Sequence, residues 1–231
     1  MLLHIIELRR RLIYIFAHFI ILFVLFFYLA PHLFHILISP LSNTLPLHYS
    51  LIATQVTTPL FMPIKLAINA ATICTVPFAL FHCWCFVSPG LYQHERTYFR
   101  WLTFGSITLF CIGCLFCFFI ILPFMFQLVL RTMPVDVRLM PDMGTTTDFI
   151  THMLLIFGLC FQVPLICLLL VHLRLLNIAT LKAIRPYMIV AAFIIGMLLT
   201  PPDVLSQLML AIPLCLLYEI GIFIAGASPK A

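Results

Sequence analysis

The chain has 231 residues, of which 64% are hydrophobic and only 8% are charged, and its formal net charge is +5. A soluble domain carries about 25% charged residues, so this composition excludes a water-soluble domain, a disordered chain, a disulfide scaffold and a nucleic-acid-binding protein. The long apolar runs lack the alternation of barrel strands, which predicts an all-α, multi-pass membrane protein made of one domain over residues 1–231.

Six apolar stretches predict six membrane-spanning helices. The first follows Arg9–Arg11 and lacks a small-residue cleavage site, so we interpret it as an uncleaved span that Pro31 bends or ends. The fifth has about 14 residues, or about 21 Å of helix, against a hydrocarbon core of about 30 Å. The uninterrupted apolar part of the sixth, Leu208–Tyr218, is shorter still, so the last two form either a re-entrant hairpin or a pair that thins the bilayer. The predicted spans are 12–37, 63–87, 101–130, 148–171, 187–200 and 204–224.

The distribution of basic residues predicts that both termini are cytoplasmic. With this orientation the cytoplasmic side receives nine of the 12 basic residues, and the other side receives only Lys65, Arg131 and Arg138. Cytoplasmic loops of membrane proteins carry an excess of Lys and Arg. The nine cytoplasmic residues are Arg9, Arg10, Arg11, Arg96, Arg100, Arg174, Lys182, Arg185 and Lys230.

Neither the cysteines nor the histidines predict a cofactor. Cys111, Cys114 and Cys117 recur every three residues along one predicted helix, and we expect them to pack as small apolar side chains rather than bind a metal. His18 and His32 have a spacing that a bis-histidine haem protein could use. The second span offers only His82 as a facing partner, so no haem is expected.

Two polar features remain as functional hypotheses. Gln162 lies near the middle of the fourth span, where its amide requires a partner helix, a hydrated cavity or an interhelix hydrogen bond. Glu7 and Glu95 are the only acids in the predicted cytoplasmic segments. They either balance a basic surface or form a pair that binds two arginines through forked hydrogen bonds. The second alternative requires a sheltered groove, because exposed ion pairs contribute only about 0–1 kcal/mol.

Several long motifs, in one consistent order, resemble the TatC family, the membrane receptor subunits of the twin-arginine protein translocase. The resemblance covers nearly the whole chain. Its motifs are HIIELRRRL from His4, SPL from Ser39, TPLFMPIKL from Thr58, FVSPGLYQHER from Phe86, RPYMIV from Arg185 and GMLLTPPDVLSQ from Gly196.

The resemblance implies a receptor rather than an enzyme. TatC proteins bind the twin-arginine signal peptides of folded cargo at the bacterial cytoplasmic membrane. The single-span subunits TatA and TatB assemble on them in an oligomeric complex, and the proton-motive force drives export. A small-solute secondary transporter is the alternative, although the two halves of the sequence show no internal repeat.

The family also implies roles for particular residues. Glu7 and Glu95 would face the two arginines, while Pro40 and Asp203 match positions important on the outer side. The rest of the implied signal-peptide site comprises Leu8, Arg9, Phe86, Pro89, Leu91, Tyr92, His94 and Arg96. The implied contacts with TatA or TatB helices are Gln162, Met197, Leu198, Thr200 and Gln207. Many family members have Glu where this chain has Gln162, and an amide cannot carry a proton as a carboxylate does.

Overall fold

The computed structural model describes residues 2–42, 51–55, 57–87, 96–132, 140–173, 175–199 and 204–227. The described residues are almost entirely helical, and their only strand-like feature is a bridge between Ile52 and Asp142. The predicted all-α class is therefore confirmed. In chain order the elements are α1 (Leu2–Tyr28), α2 (Ala30–Ser42), α3 (Thr58–Val87), α4 (Arg96–Phe116), a π-helix (Cys117–Ile121), α5 (Leu122–Thr132), α6 (Met143–Cys160), α7 (Val163–His172), α8 (Ile178–Leu199) and α9 (Val204–Ala227).

Five stretches of helix in the described residues are long and apolar enough to cross a membrane. A further apolar helix, Leu210–Gly226, is shorter and lies where the sixth span is predicted. This confirms a multi-pass helical membrane protein, while the count of six spans and the positions of the termini stay predictions. The five long stretches are Ile6–Tyr28, Thr58–Cys83, Trp101–Arg131, Met143–His172 and Ile178–Leu198.

The first predicted span is broken near Pro31. The helix changes from α1 to α2 at Leu29, whose backbone N–H still donates to the Leu25 carbonyl at 3.2 Å. Proline has no N–H, so the helical bond that residue 31 would donate is missing at this point. The missing bond explains the one-residue interruption between α1 and α2.

Two other spans contain interruptions that the apolar pattern does not predict. The π-helix Cys117–Ile121 ends with the Leu122 N–H donating to the Cys117 carbonyl, directly before Pro123. A turn at residues 161–162 separates α6 from α7, directly before Val163 and Pro164. In both places a proline ring would crowd the preceding helical turn, and a wider or broken turn accommodates it.

The fifth helix is longer than the predicted span 187–200. α8 begins at Ile178, and Asn177 directly precedes it, with the Asn177 carbonyl accepting from the Leu181 N–H at 3.1 Å. The difference arises because Lys182, Arg185 and Pro186 disfavour a membrane span in the sequence, whereas the helix itself continues back through all three. Within α8 the proline removes one backbone bond, and the uncharged part of the helix still begins only after Arg185.

The chain divides into two compact units. The first comprises residues 1–108 and 133–151, in which α3 packs against both α1 and α2. The second comprises residues 109–132 and 152–231, in which α9 packs against both α7 and α8. Part of the core of the second unit is a cluster of buried side chains, Cys167, Leu181, Tyr218 and Ile222.

Candidate functional site

The acid predicted to bind arginine, Glu7, already holds an arginine side chain. Its Oε1 atom accepts hydrogen bonds from Arg11 Nη2 at 2.6 Å and from Arg11 Nε at 3.2 Å. The two residues are one turn apart on α1, so their side chains lie on the same face of the helix. The Glu7 side chain is 38% exposed, which leaves it accessible to a ligand.

Arg11 also connects this acid to α3. Its Nη1 atom donates to the His82 carbonyl at 3.3 Å, near the C-terminal end of that helix. Aromatic rings pack around the same place, with Phe78 4.5 Å from the His82 ring and 4.3 Å from the His18 ring between centroids. The N-terminal part of α1 is therefore fixed beside the C-terminal part of α3.

Leu8 and Arg9 line a wide, open depression of about 840 Å³ beside α1. Its lining is apolar apart from Arg9 and Thr75, whose hydroxyl is buried and has no hydrogen-bond partner among the described residues. The remaining lining residues are Leu12, Ile13, Ile15, Phe16 and Phe19. This arrangement offers an apolar surface directly adjacent to the acid and its arginine.

Much of the second predicted segment lies outside the described residues. This applies to Pro89, Leu91, Tyr92, His94 and Glu95, so the pairing of Glu7 with Glu95 stays a prediction. Phe86 and Arg96 belong to α3 and α4, and their side chains also lie outside the described part.

The residues predicted to contact partner helices differ in their exposure. Met197 and Leu198, on α8, are 66% and 81% exposed, whereas Gln162 is 4% exposed in the turn before α7. Gln207 donates its side-chain amide to the Phe193 carbonyl at 2.9 Å, which joins α9 to α8. Thr200 and Asp203 lie outside the described residues, and Pro40 is buried within α2.

Sequence reasoning missed a polar site at the N-terminal end of α3. Asp142 precedes α6 and accepts hydrogen bonds at Oδ2 from the N–H groups of Gly144 and Thr145. Its Oδ1 atom accepts from the N–H and the hydroxyl of Thr54. The backbone N–H of Thr145, followed by the two Thr54 donors, lowers the pKa of Asp142 to about 2. An Asp just before a helix is typical of a helix cap, so this part of the site was predictable from the sequence. The bond to Thr54, 88 residues away, leaves no local sequence pattern.

A second acid completes the missed site. Asp148 accepts from the Lys65 ammonium at 3.1 Å, and both residues line the same pocket of about 300 Å³ as Asp142. Its other lining residues include four threonines and two large apolar side chains, so the pocket combines three charged groups with polar and apolar surface. We interpret its contacts as structural, because each acid is already bonded to donors of this chain.

The three regularly spaced cysteines have different surroundings. Cys111 is exposed, Cys117 is buried, and the Cys114 thiol donates to the Leu154 carbonyl at 3.5 Å. Among the described residues no group of three or more His, Cys, Asp or Glu side chains could hold a metal ion.

Comparison with known proteins places the chain in a family. The family model described as Sec-independent protein translocase protein (TatC) matches residues 3–213. The Sec-independent protein translocase protein TatC of Haemophilus influenzae is 41% identical over 96% of this chain and 87% of that protein. The protein of the same name from Escherichia coli K12 is 39% identical over 95% of this chain and 85% of that protein.

The fold agrees with the sequence match. A crystal structure of a twin-arginine translocase receptor, TatC, superposes with a TM-score of 0.86 at 36% identity, covering 96% of this chain and 98% of that one. These matches do not favour a small-solute transporter. Because both the family model and the relatives cover nearly the whole length, the chain belongs to the TatC family of Sec-independent protein translocase components.

Proposed function

We propose that this chain is the receptor subunit of a twin-arginine translocase and has no catalytic role. It binds twin-arginine signal peptides at the cytoplasmic face of the bacterial inner membrane, with both termini in the cytoplasm. TatA and TatB assemble with it in an oligomeric complex, and the proton-motive force drives export of the folded cargo. The membership of the chain in the TatC family supports this proposal.

One observation carries the binding site. The Glu7 carboxylate holds the Arg11 guanidinium through two donors that converge on one carboxylate oxygen, which supports a role for the same carboxylate in binding an arginine of a signal peptide. A charge-assisted hydrogen bond contributes roughly 1.5–3 kcal/mol where water is partly excluded, compared with about 0–1 kcal/mol for an exposed pair. The proposed second acid, Glu95, would bind the other arginine.

The apolar depression beside α1 supports a position for the rest of the peptide. A signal peptide carries an apolar stretch after its arginines, and the depression begins at Leu8 and Arg9 and continues to Phe19. Burial of apolar surface contributes about 25 cal/mol per Å², so this contact would add affinity that is independent of charge. The proposed peptide site also includes Phe86, Pro89, Leu91, Tyr92, His94 and Arg96.

The exposed residues of α8 support a contact with a single-span partner. Met197 and Leu198 present apolar side chains that a TatA or TatB helix could cover, and we assign Thr200 and Gln207 to the same contact. We also assign Gln162 to partner binding, although its burial favours a role inside this chain. Pro40 and Asp203 are proposed to shape the outer side.

Binding of a labelled twin-arginine signal peptide to the chain in nanodiscs tests the proposal. We expect Glu95→Ala to weaken binding strongly and Glu95→Asp to weaken it less, because aspartate keeps the charge on a shorter side chain. A two-lysine peptide should also bind more weakly, since an ammonium lacks the planar fork of a guanidinium.

Tight binding that is insensitive to both changes would contradict the acid site and would leave apolar contact as the main determinant. If the chain binds no peptide, the measurement is repeated with TatB present. Absence of binding with TatB would overturn the receptor proposal.

A further inference from the structure

Arg11 already bonds Glu7, the acid that the proposed function assigns to an arginine of the signal peptide. Both of its donors converge on a single Glu7 oxygen, and a third donor bonds the His82 carbonyl at 3.3 Å. The Arg11 side chain is only 19% exposed, compared with 38% for Glu7. The arginine is thus held against α3 while the acid stays open to exchange.

We propose that Arg11 is an internal competitor for Glu7, which an arginine of the signal peptide must displace. This inference rests on the proposed function, because it concerns the same carboxylate. Arg11 keeps its bond to the His82 carbonyl when its contact with Glu7 is exchanged, so displacement does not require α1 and α3 to separate.

Competition of this kind would also set specificity. An incoming arginine replaces one two-donor contact with another, so the exchange costs little. An incoming lysine offers a compact ammonium that lacks the adjacent donors of a planar guanidinium, and it would therefore displace Arg11 poorly. Arg11 is then a specificity-determining residue, because it rejects cations that bind Glu7 less well than it does.

The neighbouring Arg10 provides a matched control. Its Nε atom donates to the Tyr14 hydroxyl at 2.9 Å, and its guanidinium lies 5.6 Å from the centroid of that ring. Arg10→Gln removes the same charge as Arg11→Gln, one residue away, without removing the two-donor contact on Glu7. Any general repulsion between the basic segment and a cationic peptide would therefore appear in both variants.

The test measures equilibrium binding of two-arginine and two-lysine signal peptides to the full chain in nanodiscs. We expect Arg11→Gln to bind the two-arginine peptide about 2- to 5-fold more tightly, the factor that corresponds to an exposed ion pair. Its preference for arginine over lysine should fall by a similar factor. Arg11→Lys should lie between the wild type and Arg11→Gln, and Arg10→Gln should stay close to the wild type.

The double variant Glu7→Gln, Arg11→Gln makes the test specific. Without the carboxylate there is nothing to compete for, so adding Arg11→Gln to Glu7→Gln should leave the affinity unchanged. The inference is overturned if Arg11→Gln weakens or does not change binding, or if Arg10→Gln strengthens it equally. The two proposals fail in different ways. Loss of affinity in Glu7→Gln without a gain in Arg11→Gln refutes only the competition, whereas a Glu7→Gln variant that binds normally refutes the acid site itself.

Discussion

Two ion pairs of this chain have the same chemistry but connect different parts of it. The Arg11–Glu7 and Arg185–Glu219 contacts measure 2.6 Å and 2.7 Å, and all four side chains are at least partly exposed. The first pair lies within one turn of α1, whereas the second joins α8 to α9. A ligand can exchange with the first without separating two helices, and the same exchange at the second would remove a contact between them.

The residues around the first pair are more exposed than those around the second. Between Ile6 and Tyr28 no residue of α1 is buried, although the helix packs on α3. On the α8–α9 side, the buried Tyr218 hydroxyl donates to the Leu181 carbonyl at 2.7 Å. The proposed binding helix therefore has replaceable contacts, whereas the α7–α9 region depends on close packing and buried hydrogen bonds.

The largest expected effect on stability comes from a close approach of α9 to α7 at Gly221. A Cβ atom at Gly221 would lie 2.9 Å from the Pro164 Cα atom, which is backbone and cannot rotate away. Gly221→Ala should therefore lower the free energy of unfolding by about 1–3 kcal/mol, the usual cost of overpacking. Thermal unfolding in detergent measures it.

Gly226 is the matched control on the same helix. A Cβ atom there would meet nothing closer than the Ile178 Cδ1 atom at 3.9 Å, so Gly226→Ala should be neutral or stabilising. Equal melting temperatures for the two alanine variants would show that the close approach of α9 to α7 at Gly221 does not contribute to stability.

Tyr218→Phe should have the next largest effect. It deletes a hydroxyl that is bonded to the Leu181 carbonyl while leaving the buried ring in place, and a bond of this kind contributes about 1 kcal/mol. The variant should unfold at a lower temperature and bind signal peptide as the wild type does. An unchanged melting temperature would show that the hydroxyl contributes nothing to the α8–α9 contact.

Replacing each of the two acids, Glu7 and Glu219, by glutamine tests whether the two ion pairs have these different roles. Glu219→Gln should lower the free energy of unfolding by up to about 1 kcal/mol, because it weakens an exposed contact between two helices. Glu7→Gln should change unfolding even less, yet it should reduce peptide affinity. The free energy of unfolding and the peptide affinity are measured for both variants. If Glu219→Gln reduced peptide affinity and Glu7→Gln reduced stability, the roles of the two pairs would be reversed.

The smallest effect concerns Asp142 and depends on pH. Hydrogen bonds lower the pKa of its carboxyl to about 2, compared with about 3.9 in an unfolded chain. Because the folded value is depressed, this contribution to stability is fully present above about pH 4 and is lost as the pH falls through 2. Hydrogen-exchange protection of the Ile52 and Thr54 amides should decline over that range.

Asp142→Asn should abolish this response, because the side chain can no longer titrate. Asp148→Asn is the control, since it removes an acid bonded to Lys65 and leaves the Thr54 contacts intact. Protection that declines equally in Asp142→Asn would assign the pH response to another group.

The fold class could be predicted because long apolar runs permit few alternatives in a membrane. The irregularities could be predicted less well. The first span is interrupted near Pro31, as its sequence indicates, but Pro186 lies inside α8, although the predicted span begins only after it. A proline removes one hydrogen bond wherever it stands, and whether the helix continues depends on packing that a local pattern does not contain.

The candidate site was predictable only in part. Glu7 stood out because few acids occur among the basic residues near the N-terminus. Its bond to Arg11 follows from the spacing of one helical turn, whereas the bond from Arg11 to the His82 carbonyl spans 71 residues and required the fold. The hydrophobic neighbours of Gln162 suggested membrane depth, but its burial could not be separated from contact with a partner helix.

The bond between Thr54 and Asp142 also constrains the order of events during synthesis. The two residues are 88 positions apart, so α3, α4 and α5 must all be made before the bond can form. At about 5–20 residues per second, the segment around Thr54 waits about 4–18 seconds for its partner. During that interval the nascent chain has no Asp142 to accept the two Thr54 hydrogen bonds, and α6 can complete the site only as its first turn emerges.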